Sequence, residues 1–110
     1  MGAELRRFAR HPLKVDFKGQ DRHGMGALFF TGADLSQGGS FIRAELLLEQ
    51  GEELELEFTV PGVPRLMHAR ARIAWVRRFP EPPQQGGMGI EFLTMTEEDR
   101  LILAEYLGAA

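Results

Sequence analysis

Glu53-Leu54-Glu55-Leu56-Glu57-Phe58-Thr59-Val60 alternates without a break between polar and apolar residues. Successive side chains of a strand point to opposite faces, so Leu54, Leu56, Phe58 and Val60 share one side and Glu53, Glu55, Glu57 and Thr59 the other. The stretch is a half-buried strand with a solvated acidic face. Leu66–Phe79 repeats the period, with Met67, Ala69, Ala71, Ile73 and Trp75 on one face opposite Arg70 and Arg72. Pro61-Gly62-Val63-Pro64 lies between them and has the composition of a turn, so the two strands form an antiparallel hairpin.

The flanking segments read the same way. Leu13–Lys18 puts Leu13, Val15 and Phe17 together, and the Gly/Asp-rich run Gly19–Gly24 reads as a turn. Met25–Leu35 and Ser40–Arg43 lie on either side of Gly38-Gly39, a break where the chain needs unusual dihedral angles. Gly86–Leu93 carries Ile90 and Phe92 on one face, and Pro80–Gly87 before it is a mobile loop. Ala44–Gln50 fits a helical turn and an irregular loop equally. Near the end, Thr96 precedes Glu97, Glu98 and Asp99, a capping hydroxyl with acids in the first turn. Leu103, Tyr106 and Leu107 then recur at helical spacing and Gly108 closes the element. Six short strands and one helix in 110 residues predict an all-β domain with a C-terminal helix, a six-stranded antiparallel β-barrel. Residues 1–12 form a flexible N-terminal arm, 13–94 the barrel and 95–110 the helix, one domain with neither repeats nor a linker. A barrel of this size is filled by its own side chains, so a ligand sits on its outer surface or rim.

The chain has no cysteine, which excludes disulfide frameworks, thiolate zinc sites and cysteine nucleophiles. No apolar run approaches the 18 residues of a membrane span, and the first residues lack the apolar stretch of a signal peptide. The expected address is the cytoplasm, with no membrane partner. The net charge of −3 hides an asymmetry: residues 1–23 carry +3 and residues 24–110 carry −6. A short basic arm on an acidic body suits a small anionic ligand better than DNA or another long polyanion.

Catalysis finds little support. His11, His23 and His68 are scattered, with no carboxylate or second histidine at ligand spacing, so no metal or other cofactor is expected. Glu53, Glu55 and Glu57 read as a solvated strand face rather than an acid–base pair. Ser36 and Ser40 have no histidine placed by any motif. Gly87-Met88-Gly89 lacks the Lys-Ser/Thr and helix start of a phosphate loop. The chain is therefore expected not to be an enzyme.

Two motifs remain. Arg6-Arg7-Phe8-Ala9-Arg10 sets arginines four residues apart before His11-Pro12, where proline favours extended backbone. Guanidinium groups pair bidentately with phosphate or with guanine O6/N7, and they stack on rings. Asp34-Leu35-Ser36-Gln37-Gly38-Gly39 points Leu35 into the barrel and Asp34 and Ser36 outward, and its glycines leave room for a flat ligand. Asp34 can accept from the N1–H and N2–H₂ edge of guanine, which adenine lacks. The same Asp and Ser also suit a simple turn cap.

In this order, and on this strand pattern, the two motifs resemble the signatures of the PilZ domain family: RxxxR as Arg6–Arg10 and [DN]xSxxG as Asp34–Gly39. Ser40-Phe41-Ile42, Ala71–Val76 and Gly87–Phe92 extend the likeness over residues 5–107. The resemblance implies a PilZ-type barrel and a bacterial receptor for the second messenger cyclic di-GMP. Arg6 and Arg10 would then clamp guanine and phosphate, Asp34 and Ser36 hold a guanine edge and phosphate, and Gly39 give clearance. Arg7 and Gly38 have less defined roles. Leu5 before the first arginine adds no guanidinium and leans towards a single ligand. The resemblance further implies that the arm orders over the ligand and signals by contact to an effector protein controlling motility, pili or exopolysaccharide, from a monomer or homodimer. A ligand-independent protein–protein adaptor is the alternative within the family. A small RNA-binding barrel is the alternative outside it, disfavoured here because Trp75 and most phenylalanines fall on inward phases.

Overall fold

A computed structural model of the protein describes residues 10–21, 26–44, 47–78, 81 and 86–108. Its strands are β1 (His11–Asp21), β2 (Ala27–Leu35), β3 (Gly39–Arg43), β4 (Glu53–Val60), β5 (Val63–Arg77) and β6 (Gly87–Thr94), followed by the helix α1 (Glu97–Gly108). The strands close into a barrel in the order β1-β2-β3-β6-β5-β4, and each neighbouring pair is antiparallel. The expected fold class is the observed one.

The alternation that singled out the hairpin sets the core. Leu54, Leu56, Phe58 and Val60 of β4 and Met67, Ala69, Ala71 and Ile73 of β5 are buried, joined by Val15, Phe17, Leu35, Ile42, Met88 and Ile90 from the other strands. Phe17 and Phe58 meet with ring centroids 5.0 Å apart. Each such aromatic or branched side chain stabilises the fold by about 1.5–3 kcal/mol through removal from water.

β1 begins at His11, so His11 and Pro12, read above as the end of the arm, belong to the barrel. The structure differs from the sequence reading in three further places. The hairpin turn is only Pro61-Gly62, because Val63 already pairs with Val60, and Gly62 takes the left-handed φ of 83° that the tight turn demands. Gly19 is not in a turn: it lies within β1, paired with Leu28 and Leu56. A Cβ there would lie 3.2 Å from both Leu56 Cδ2 and the Phe30 ring, so this glycine answers to interior crowding rather than chain reversal. Third, Trp75 does not share the inward face of Ile73. The register of β5 on β6 shifts between Ile73 and Trp75, burying Ile73 and Ala74 in succession and turning Trp75 to the outside. A β-bulge re-aims side chains in this way.

The helix is fastened at its first turn. Thr96 Oγ accepts the Asp99 N–H at 3.1 Å, the capping bond expected of a hydroxyl at this position. Asp99, 3% exposed, does more than face the helix dipole. Its Oδ1 accepts from Arg65 Nε at 2.7 Å and its Oδ2 from the His68 backbone N–H at 3.2 Å. The pairing of β5 with β6 begins only at Arg70, so Asp99 serves a backbone donor of β5 that lies short of that ladder. Burial pushes the Asp99 carboxyl up, but the bonds from Arg65 and His68 outweigh it and hold the group below its ordinary value. Leu103 and Leu107 seal the helix onto the barrel.

Candidate functional site

The antiparallel register of β1 on β2 brings the two motifs together. His11 pairs with Leu35 and Pro12 with Asp34, so Arg10, one residue before β1, arrives beside the end of β2. Arg10 Nη1 donates to Asp34 Oδ2 at 3.3 Å, with side-chain exposures of 34% and 21%. Arg6 and Arg7 lie outside the described residues.

Asp34 is held from a second side as well. Its Oδ1 accepts the Phe41 backbone N–H at 2.8 Å, and its carbonyl oxygen accepts from Ser40 Oγ at 2.6 Å. The carboxylate is therefore oriented before any ligand arrives, which lowers the ordering cost of recognition.

Ser36 is buried, contrary to the expectation that it points outward with Asp34. Its Oγ accepts the Gly38 and Gly39 N–H groups, each at 3.1 Å, and donates to the Gly39 carbonyl at 3.2 Å. The Ser36 N–H reaches the same carbonyl at 2.9 Å. A hydroxyl that closes its own turn matches the capping role the sequence also allowed. Gly38 and Gly39 are both buried in this turn. The Phe92 N–H donates to the Gly38 carbonyl at 2.8 Å, so β6 props the turn from beneath. Arg10, Asp34, Ser36, Gly38 and Gly39 thus form one cradle on the barrel rim, with Arg10 as its cationic wall and the half-buried Asp34 as its oriented acceptor.

Beside the cradle lies a surface the sequence reading missed. Phe41, Gly89 and Trp75 form one row across β3, β6 and β5. With no side chain on Gly89 between them, Phe41 and Trp75 stack at 5.5 Å and 16°. The Arg77 guanidinium lies 5.6 Å from the Phe41 ring centre and 5.3 Å from that of Trp75. A Cβ at Gly89 would stand 2.2 Å from Trp75 Nε1. The legible signal was Gly87-Met88-Gly89 inside a strand, which marks a close approach by another group. With Phe29, 76% exposed on β2, Trp75 and Phe41 depart from the inward phase expected of the rings, whereas Phe17, Phe30, Phe58 and Phe92 lie in or against the core as expected.

Other chemistry is sparse. His68 does have a carboxylate partner, with Nε2 at 3.3 Å from Glu57 Oε2 across the β4–β5 pair, because direct cross-strand neighbours meet regardless of sequence spacing. Among the described residues no group of His, Asp or Glu is placed to hold a metal ion. No described helix is long and apolar enough to cross a membrane. A concavity of about 760 Å³ between Gly19, Leu56, Ala69 and Met95 contains none of the motif residues. Its rim mixes Lys18, Glu55, Glu57 and Arg70, whereas the cradle sets an arginine against an oriented carboxylate.

Comparison with solved structures returns the same architecture. The Bacillus subtilis inhibitor of motility MotI/DgrA superposes with a TM-score of 0.78 at 19% identity, over 94% of this chain and 49% of that one. The PilZ domain with c-di-GMP of YcgR from Escherichia coli gives 0.69 at 17% identity, over 94% and 88%. The PilZ domain of CeSA from a cellulose-synthesizing bacterium gives 0.64 at 14%, over 92% and 96%. At these identities the likeness is one of fold, and the chain spans about half the length of MotI/DgrA. No curated protein matches the sequence. The family model of the PilZ domain matches residues 4–109, nearly the whole sequence, and the chain belongs to the PilZ domain family.

Proposed function

We propose that the chain is a cytoplasmic receptor for cyclic di-GMP that acts by contact on an effector protein and has no catalytic activity of its own. The observation that carries this reading is the meeting of Arg10 with Asp34 at 3.3 Å, which joins the two halves of the family signature at one rim. The family supports it as a class of binding and adaptor domains, and the YcgR domain of the same fold is a complex with c-di-GMP.

The chemistry follows from the partners already in place. Asp34 Oδ1 stays on the Phe41 N–H, which fixes the carboxylate plane. Oδ2 faces Arg10 and is the atom that exchanges partners: the guanine N1–H and N2–H₂ edge takes it over, and Arg10 turns its fork to a phosphate oxygen. Ser36 acts through the turn, keeping Gly38 and Gly39 flat beneath the ligand, and Arg6 adds a second guanidinium from the arm. The arm ahead of β1, drawn onto the ligand by these contacts, is the segment that changes what an effector meets.

Isothermal titration of the full chain with cyclic di-GMP tests the reading, with GTP and a short single-stranded RNA as controls. Saturable binding of the cyclic dinucleotide and weak or absent binding of GTP is the expected result. Binding of the RNA alone supports a nucleic-acid barrel, and silence towards all three supports the ligand-independent adaptor.

A further inference from the structure

Glu91 is a buried acid on the outward side of β6. Its neighbours Met88 and Ile90 face the core, yet Glu91 is only 4% exposed. Its register partners are Gly39 of β3 on one side and Arg72 of β5 on the other. Glu91 Oε1 accepts from Arg72 Nη2, which draws the guanidinium over β6 towards the Gly39 side of the cradle. The Arg72 side chain itself remains 45% exposed.

A buried carboxylate tied to a half-exposed arginine is poor economy for stability alone, since desolvation of the acid offsets most of the attraction. What the pair does supply is a fixed guanidinium. Arginine carries five N–H donors; the bond to Glu91 is made through Nη2 on a side chain whose other register partner is Glu53 of β4 and which keeps nearly half its surface open to solvent. Neighbouring strands are about 4.8 Å apart, so a guanidinium above β6 stands about one strand from Gly39, on the side of the turn away from Arg10.

We propose that Arg72 is a further ligand-binding residue of the cradle, donating to a phosphate oxygen of the anionic ligand on the side opposite Arg10, and that Glu91 is its positioning residue. This rests on the receptor reading above. The cradle then has two cationic walls, Arg10 ahead of β1 and Arg72 on β5, with the Ser36–Gly39 turn as the floor between them. Glu91 keeps the second wall in a single orientation, which reduces the freedom lost on binding.

The test is titration of the full chain with cyclic di-GMP at low and high salt, in the wild-type protein and in R72A, R72K and E91Q, each melted in parallel without nucleotide. The expected result is that R72A weakens binding about tenfold or more and flattens the salt dependence, because a charge-assisted contact is lost. R72K recovers part of the affinity, since it returns the charge but not the fork. E91Q weakens binding less than R72A and leaves the salt dependence near wild type. A purely structural pair predicts the opposite split, lower melting temperatures with unchanged affinity and salt dependence, and that outcome overturns the proposal. Wild-type binding matched by R72A within twofold overturns it while leaving the receptor reading intact. Silence of the wild-type protein overturns both.

Discussion

At the scale of single residues, Asp34 has two engaged oxygens with different duties, and substitutions separate them. D34N retains an oxygen for the Phe41 N–H but loses the charge that faces Arg10. A partly exposed ion pair contributes about 0–1 kcal/mol, so D34N and R10A should melt close to wild type while binding cyclic di-GMP at least tenfold more weakly by titration. D34A also strands the Phe41 N–H and should lose a further ~1–3 kcal/mol in thermal or urea unfolding. A large stability loss in R10A would mean that this arginine holds the fold rather than a ligand. Gly89 makes a separate point. Its missing Cβ is the space in which Trp75 lies, so G89A must push the ring off the row and should destabilise by about 1–3 kcal/mol, read as a lowered denaturation midpoint.

At the scale of elements, the helix α1 depends on Asp99 as much as on its apolar face. The folded Asp99 carboxyl is held below its ordinary value, and a depressed carboxyl stabilises the fold above the unfolded value of about 3.9. That contribution is complete near neutral pH and is lost as pH falls through the lowered folded value. D99N should therefore melt lower than wild type at pH 7 and show a smaller further loss between pH 4 and 2, checked by circular dichroism melts across that range. A wild-type acid profile identical to that of D99N would remove Asp99 from the account of helix docking. T96A, which removes the capping hydroxyl, should cost about 1 kcal/mol by the same measurement.

At the scale of the whole molecule, a ligand that binds only the folded chain stabilises it by mass action, about 2.7 kcal/mol at a hundredfold excess over Kd. For a domain of this size that corresponds to a rise of the order of 10 °C in Tm. Cyclic di-GMP should produce it and GTP should not, as differential scanning calorimetry would report. The barrel was legible in the sequence because period-2 alternation follows from strand geometry and burial, and Leu54–Val60 and Met67–Ile73 obey it fully. Trp75 was misread because a bulge inserts one residue and reverses every phase beyond it, which no alternation rule anticipates. Arg10 and Asp34 could be paired on chemistry, but Glu91 with Arg72 could not, since their meeting depends on a register across two strand pairs. Ser36 was placed outward by extending the alternation one residue past Leu35, whereas β2 ends at Leu35 and the turn uses the Ser36 hydroxyl for its own amides.

The outward turn of Trp75 has a practical consequence. The chain holds a single tryptophan and a single tyrosine, and that lone indole lies over Gly89, stacked on the ring whose amide supports Asp34. Its ultraviolet emission therefore carries a signal from one patch of the barrel, with no second indole to dilute it. The molecule comes with an optical probe already mounted beside its rim, and a titration can be followed there without attaching a label.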